Sequence, residues 1–146
     1  MLLYIKAMNQ KCELHFEDGS KMVVNDKVEN YLQWLCECYG STLKGRKKVV
    51  CNLLNIKQLP PILIKDNASM ILISVRDKNN DDWYYFNYEA IIDIKEKQGN
   101  SKVIFINGLI VEFSCSSRSL KKQRERCVIL KNTLLYRQNN QHLNKL

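Results

Sequence analysis

The sequence lacks any apolar run approaching the roughly 18 residues that a membrane-spanning helix needs. Its first residues also lack the positive segment and the long apolar stretch of a secretory signal peptide. These absences predict a cytoplasmic protein with no membrane-spanning segment. In that compartment the six cysteines are expected to be reduced thiols.

The sequence also lacks the residue patterns of common enzyme and metal sites. Cys36 and Cys38 lie two residues apart in a predicted helix, where they point to different sides, and no second Cys or His pair completes a zinc site. His15 and His142 have no evident partners for a catalytic triad. No Walker or Rossmann glycine pattern is present. We therefore expect neither metal nor cofactor, and no enzyme activity.

Acidic residues are outnumbered, with 15 Asp and Glu against 23 Lys and Arg, which gives a formal net charge of +8. Such an excess favours a polyanionic partner, such as nucleic acid or an anionic membrane surface. Of these two we expect nucleic acid, and no membrane partner. The 146 residues suffice for one domain with a real core, and no linker or low-complexity segment divides them. The simplest fold class is a single antiparallel, β-rich α+β domain.

The first half predicts a hairpin followed by a helix. Strands are predicted at Leu2–Ala7, Cys12–Phe16 and Lys21–Val24. A two-residue type I′ turn at Asp18-Gly19 would pair Leu14 with Val23 and Phe16 with Lys21. A helix over residues 26–39 would be capped by Asn25 or Asp26 and ended by Gly40. Its predicted buried face is Val28, Tyr31, Leu32, Leu35 and Tyr39, at helical spacing.

The second half predicts more strands and a final helix. The predicted strands are residues 49–54, 62–64, 70–75, 83–86, 90–95, 103–106 and 109–113, the last two joined by an Asn107-Gly108 turn. A last helix is predicted from residue 118 to about 136, with Leu120, Cys127, Leu130 and Leu134 as its apolar stripe. Residues 138–146 are predicted to be a polar, flexible tail. The chain thus contains two ββα-like units, each a hairpin followed by a helix.

Basic residues concentrate in two places. Residues 40–48 are predicted to form a loop in which Ser41 and Thr42 can cap a helix or bind an anion, and the basic side chains are Lys44, Arg46, Lys47 and Lys48. The second concentration opens the last helix and contains Arg118, Lys121, Lys122, Arg124 and Arg126. Basic residues in a first turn oppose the helix dipole, so an anion that compensates them would explain both their number and their place.

Two sequence blocks resemble the ComK-type competence transcription factors. The first is Cys36-x₃-Gly-Ser-Thr-x₂-Gly-Arg-Lys, which ends at Lys47 and is followed by Leu59-Pro-Pro-Ile. The second is Val-Ile-Phe-Ile-Asn-Gly, ending at Gly108, before a basic helix with Gln123 and Arg124. The chain departs from the family pattern at Ile71 to Val75, which lacks an expected Phe-Pro-Thr, and has little of the family's longer C-terminal region.

The resemblance implies a transcription activator that binds double-stranded promoter DNA at A- and T-rich boxes, through the minor groove and as a homo-oligomer. Residues 1–137 would form the ComK-like DNA-binding domain. Within it we assign Arg46 to a narrow minor groove, which attracts arginine. The remaining predicted DNA contacts, through phosphate or hydrogen bonds, are Ser41, Thr42, Lys44, Lys47, Lys48, Arg118, Lys121 and Lys122.

Three alternatives stay open. Tyr85-Phe86-Asn87-Tyr88, with the Asn-Gly hairpin and the helix start after it, partly resembles the LytTR-type DNA-binding domain, which reads the major groove. A non-DNA interaction module, such as a small regulatory protein whose basic loop docks an acidic partner protein, is the second alternative. A small hydrolase or nuclease would use a metal held by Asp81 and Asp82, although adjacent acids on a polar turn are usually structural.

Overall fold

The structure is a computed structural model that describes the backbone of residues 1–144 and the side chains of residues 1–140. In chain order its elements are β1 (Leu2–Ala7), β2 (Cys12–Phe16), β3 (Lys21–Val24), α1 (Val28–Cys38), α2 (Leu43–Leu54), β4 (Ile62–Leu63), β5 (Ile71–Arg76), β6 (Trp83–Asn87), a short 3₁₀ helix (Tyr88–Ala90), β7 (Ile91–Lys97), β8 (Asn100–Phe105), β9 (Ile110–Phe113) and α3 (Ser117–Asn144). The predicted α+β class, with two hairpin-helix units and a C-terminal helix, is confirmed.

Two antiparallel sheets carry the fold. The larger has six strands in the order β3-β2-β1-β6-β5-β4, and the smaller has three in the order β7-β8-β9. The pairing of β1 with β6, in which Ile5 lies opposite Tyr85, joins two strands that are far apart in the sequence. Neighbouring strands otherwise follow one another in sequence, which is the usual connection in antiparallel sheets.

The two faces of the larger sheet bury different clusters. One face packs against the smaller sheet and α3. There the ring centroid of Phe86 lies 5.8 Å from that of Phe105 and 5.3 Å from that of Phe113. The other face packs against α1 through Val28 and Leu32. The six-stranded sheet is therefore the middle layer of the domain.

A β-bulge in β1 distributes its side chains between these clusters. Leu2 pairs with Phe16 and Tyr4 with His15, so Leu3 is the extra residue. As a result Leu3 and Tyr4 both face the cluster that contains α3, whereas Leu2 and Ile5 face the one that contains α1. Tyr4 stacks on His15 at 4.3 Å between ring centroids. Burial lowers the pKa of His15.

Both predicted hairpins are present, but the predicted register of the first is wrong by one residue. Leu14 pairs with Met22 and His15 with Lys21. The Phe16 amide donates to the Ser20 carbonyl at 3.0 Å, so the loop has three residues and ends on Gly19 at φ +86°. A type I turn followed by a left-handed residue has this geometry. The second hairpin repeats it, with Gly108 also at φ +86°.

Helix α1 ends as predicted but begins later. The Gly40 amide donates to Glu37 and the Ser41 amide to Cys36, both at 3.0 Å, with Gly40 in the left-handed region at φ +76°. At the other end the cap position is Lys27, without a side-chain cap, so the predicted caps are wrong. Cys36, instead of Tyr39, completes the buried face.

The predicted basic loop and the strand after it are wrong. Residues 43–54 form one helix, α2, which begins after Thr42 and ends at Asn55 in the left-handed conformation. Leu43, Arg46, Val50 and Leu53 recur at helical spacing and turn toward the interior. The basic residues of this region therefore lie on a helix.

Helix α3 is longer than predicted. Leu120, Cys127 and Leu130 are buried as expected, but the helix continues to Asn144 instead of ending near Tyr136. Most of the predicted tail is therefore helical, and residues 145 and 146 lie outside the described residues. The side chain of Lys131 contacts Glu89 at 2.5 Å, which ties α3 to the 3₁₀ helix.

Candidate nucleic-acid interface

The N-terminus of α2 is fixed by local hydrogen bonds. The Thr42 hydroxyl accepts from the Gly45 amide at 3.0 Å, so Thr42 caps the helix as its residue type allows. The Leu43 amide donates to the Gln33 side chain at 2.8 Å, which joins α2 to α1. A Cβ on Gly45 would lie 2.9 Å from the Thr42 hydroxyl, so glycine permits this close cap.

Three lysines of α2 are exposed in its first two turns. Lys44, Lys47 and Lys48 are spaced i, i+3, i+4 and carry like charge along one side of the helix. The first turn has no acidic residue, and no carboxylate of the described side chains lies within 4.0 Å of these lysines. The positive charges of these lysines and the positive end of the helix dipole therefore reinforce each other, which favours binding of an anion at the N-terminus of α2.

Arg46 lies on the opposite, buried side of α2. Its side chain is 8% exposed and forms an ion pair with Asp66, which is itself 81% exposed. A second guanidinium contact reaches the Tyr39 carbonyl at 3.5 Å, and its Nε is buried without a partner. A side chain held in this way cannot enter a DNA groove without breaking the pair. The structure thus argues against the predicted minor-groove role of Arg46.

The start of α3 presents the second group. Arg118, Lys121 and Lys122 are exposed and border a shallow groove with Ser117 and Glu125. At this end the Ser119 amide donates to the Ser116 hydroxyl at 3.4 Å. Arg124, in contrast, donates to the carbonyls of Ile91 and Ile92 at 3.3 and 3.1 Å, so it fastens α3 to β7.

The two basic groups lie on adjoining helices but line different grooves. Helix α2 packs against α3, and Val50 shares one buried cluster with Leu120. Lys47 borders a groove between α1, α2 and the larger sheet, which also contains Glu29 and Asp82. The predicted contacts Ser41 and Thr42 lie at the turn between α1 and α2, where Ser41 is half-buried. The N-terminal turns of α2 and α3 therefore form two separate basic surfaces instead of one continuous anion-binding surface.

The two adjacent acids take part in ion pairs. Asp81 pairs with Arg76, and Asp82 lies 3.8 Å from the Lys6 ammonium. Within the described residues no group of three His, Cys, Asp or Glu side chains could hold a metal ion. No helix in the same part of the chain is both long and apolar enough to cross a membrane.

The comparison with protein families decides the classification. The ComK family model, described as ComK protein, matches residues 1–139 of the 146-residue chain. The chain belongs to the ComK family. This supports a role as a competence-type transcription factor. Neither the curated proteins nor the solved structures contain a significant match.

In this ComK family member, sequence reasoning missed the residues that hold the basic helices in place. Asp66 lies on the loop between β4 and β5, and nothing in the sequence links it to Arg46, twenty positions earlier. The run of basic residues places Arg124 in one group with Arg118, Lys121 and Lys122. Its position four residues after Leu120 and three before Cys127, however, puts it close to the buried side of α3. For Arg46 a signal existed, because it falls within the i, i+4, i+7 pattern of Val50 and Leu53.

Proposed function

We propose that the protein is a transcription activator that binds AT-rich double-stranded DNA through phosphate contacts and minor-groove shape. The observation that carries the proposal is the concentration of exposed basic side chains in the first turns of α2 and α3. Duplex DNA supplies closely spaced phosphates, and each lysine or arginine that neutralises one releases counterions. Family membership supports the same function.

Lysines of α2 contribute affinity in this proposal. Lys44, Lys47 and Lys48 contact phosphates and position the protein without specifying sequence. Ser41 and Thr42 lie beside them, and Thr42 contributes by capping α2. Arg46 acts indirectly, because its ion pair with Asp66 holds the helix that presents the lysines.

In this proposal Arg118 provides the preference for AT-rich DNA. It is the one predicted contact that is both an arginine and exposed in the structure. Arginine is favoured in the narrow minor grooves of A-tracts, where the negative potential is strongest. Lys121 and Lys122, one turn further along α3, contact the adjoining backbone.

Titration into AT-rich and GC-rich duplexes at several salt concentrations tests the proposal. We expect binding that weakens steeply with salt and is tighter for the AT-rich duplex. Arg118→Lys keeps the charge but should reduce the AT preference. Lys48→Ala is the matched control and should weaken both duplexes by the same factor.

The outcomes separate the parts of the proposal. An absence of binding to either duplex at low salt would remove the DNA function. A steep salt dependence with equal affinity for both duplexes would leave nonspecific phosphate binding alone. Equal loss of both affinities in Arg118→Lys and Lys48→Ala would remove Arg118 from its groove-reading role.

A further inference from the structure

A groove lies over the larger sheet, between the N-terminal halves of α1 and α2, and we name it the α1–α2 groove. Its volume of about 550 Å³ falls within the roughly 300–1,000 Å³ of sites that bind small molecules. Both helices and three strands contribute its apolar floor, which consists of Ala7, Val28, Leu32, Leu43, Ile62 and Trp83. Its rim carries the charged residues Glu29, Lys47, Asp81 and Asp82. An apolar floor with a few polar groups is the usual composition of a ligand site.

The charged residues of the rim differ in whether they have a partner. Asp81 and Asp82 each lie in an ion pair with a basic residue of the larger sheet. Glu29 and Lys47, in contrast, form no ion pair with any described side chain. The groove therefore has one unpaired charge of each sign, the negative one on α1 and the positive one on α2.

Tyr85 brings a hydroxyl without a partner to the same groove. The residue lines the groove and is only 8% exposed, yet its hydroxyl forms no hydrogen bond with the described residues. Burial, with a smaller contribution from the Glu29 carboxylate, raises the pKa of Tyr85 to about 12, so the hydroxyl keeps its proton at neutral pH. Polar groups buried to this extent normally have a hydrogen-bond partner. A ligand in the groove would supply one.

We propose that the α1–α2 groove binds a short peptide with free termini and apolar side chains. The ammonium group of the peptide pairs with Glu29, and its carboxylate pairs with Lys47. The apolar side chains cover the floor, and the Tyr85 hydroxyl bonds to the peptide backbone. The two unpaired charges decide the choice of ligand, because a purely cationic ligand leaves Lys47 unpaired and a purely anionic one meets the acids of the rim.

A dipeptide suits the size and charge of the groove. An extended dipeptide places its two termini about 7 Å apart, which fits two side chains that are too far apart to pair with each other. Ligands of this size bind with modest affinity, so we expect a dissociation constant on the order of 100 μM for leucyl-leucine.

The fluorescence of Trp83 tests peptide binding in the absence of DNA. The chain has two tryptophans, and Trp34→Phe leaves Trp83, which lines the groove, as the only one. Leucyl-leucine should change the emission of Trp83 with a dissociation constant on the order of 100 μM, and calorimetry on the unsubstituted chain should give the same constant. N-acetyl-leucyl-leucine lacks the ammonium group and leucyl-leucine amide lacks the carboxylate. Each should bind about tenfold more weakly.

Variants of the full chain assign each end of the peptide to its residue. Glu29→Gln should weaken leucyl-leucine about tenfold but leave the acetylated peptide unaffected, since that peptide has no ammonium group to pair. Lys47→Gln should weaken leucyl-leucine about tenfold but leave the amide unaffected. Tyr85→Phe should weaken all three peptides by about fivefold. Lys48→Gln is the matched control, because Lys48 is exposed on the same helix and does not line the groove.

Three results would each overturn the proposal. One is the absence of both a Trp83 response and a calorimetric signal at about 2 mM leucyl-leucine, roughly twenty times the expected dissociation constant. Another is equal affinity for the three peptides, which would mean that the groove does not recognise the two termini. The third is an equal loss of affinity in Lys47→Gln and Lys48→Gln. Circular dichroism melts verify that each variant is folded.

Peptide binding has a consequence that rests on the proposed DNA function. Lys47 is one of the three lysines of α2 assigned to phosphate, and the carboxylate of a bound peptide neutralises it. Saturating leucyl-leucine should therefore weaken DNA binding and lower the slope of log affinity against log salt concentration by up to about 0.9. Because such coupling is reciprocal, DNA should weaken peptide binding by the same factor.

Titration of an AT-rich duplex with and without leucyl-leucine measures this coupling. A protein that binds leucyl-leucine but no DNA would contradict the proposed function and leave the peptide site standing. Equal DNA affinity with and without saturating leucyl-leucine would overturn the coupling.

Discussion

The ion pair of Arg46 and Asp66 gives a prediction in which a surface substitution costs more stability than a buried one. Asp66→Ala removes an 81% exposed carboxylate but leaves the Arg46 guanidinium 8% exposed, with only the 3.5 Å contact to the Tyr39 carbonyl. Arg46→Met removes the buried charge, keeps an unbranched stem in its place, and leaves Asp66 in water.

The magnitudes follow from what each variant leaves behind. Leaving a buried charge without its partner costs about 3–5 kcal/mol, and the partial exposure of this pair lowers that to about 2–3 kcal/mol for Asp66→Ala. Arg46→Met loses charge-assisted hydrogen bonds but also removes the buried, unpaired Nε, so we expect a cost of about 1 kcal/mol. The double variant should resemble Arg46→Met, because neither charge then remains.

Urea unfolding followed by the fluorescence of Trp34 and Trp83 measures these differences. Glu96→Ala is the control, since Glu96 is exposed on β7 and an ordinary surface change stays within about 0.5 kcal/mol. A cost for Asp66→Ala as small as that of Glu96→Ala, or smaller than that of Arg46→Met, would refute the reasoning. It would mean that the guanidinium is hydrated or has another partner.

Two further predictions concern the cap of α2 and the response to alkali. Thr42→Ala should cost about 1 kcal/mol. In wild type, Gly45→Ala should be nearly neutral, because the better helix propensity of alanine is offset by displacement of the Thr42 hydroxyl. In the Thr42→Ala variant, the same change should stabilise the protein by about 1 kcal/mol. The urea midpoints of all four proteins measure this coupling, and equal effects of Gly45→Ala in both backgrounds would contradict it. Burial raises the pKa of Tyr85 and of Cys127 to about 12 each. Their stabilisation is present below the unfolded values, roughly 10 for tyrosine and 8.5 for cysteine, and is lost as pH rises toward 12. The urea midpoint should therefore fall between about pH 9 and pH 12, with a smaller decline in Tyr85→Phe, and a flat midpoint would show that these groups ionise without unfolding the protein.

The strands could be predicted from sequence because their signals are local. Alternating or β-branched segments bounded by turn residues located β1, β2 and β3 with the observed bounds. The one-residue error in the first hairpin arose because Asp-Gly fits both a two-residue turn and the last two residues of a three-residue turn. The hydrogen bond from Phe16 to Ser20 decides between them, and it has no sequence signature.

Helix α2 escaped prediction because its local signals conflict. A glycine and several lysines open it, and Val49-Val50 favours a strand. Its stability comes from the Thr42 cap, from burial of Val50 and from the ion pair with Asp66, and the last two depend on tertiary contacts. The same contacts separate Arg46 from the lysines beside it, which sequence spacing treated as one group. The basic residues of the candidate site could therefore be read from the sequence, but the side of α2 on which each one lies required the fold.

The salt dependence of DNA affinity tests the central claim most directly, namely that the exposed lysines of α2 contact phosphate and Arg46 does not. Log affinity is plotted against log salt concentration for wild type, for Arg46→Met and for the triple variant Lys44→Gln, Lys47→Gln, Lys48→Gln. Each lost phosphate contact lowers the slope by about 0.9, so the triple variant should lose up to about 2.7. Arg46→Met, measured where it is fully folded, should keep the wild-type slope. An unchanged slope in the triple variant, or a reduced one in Arg46→Met, would contradict the account.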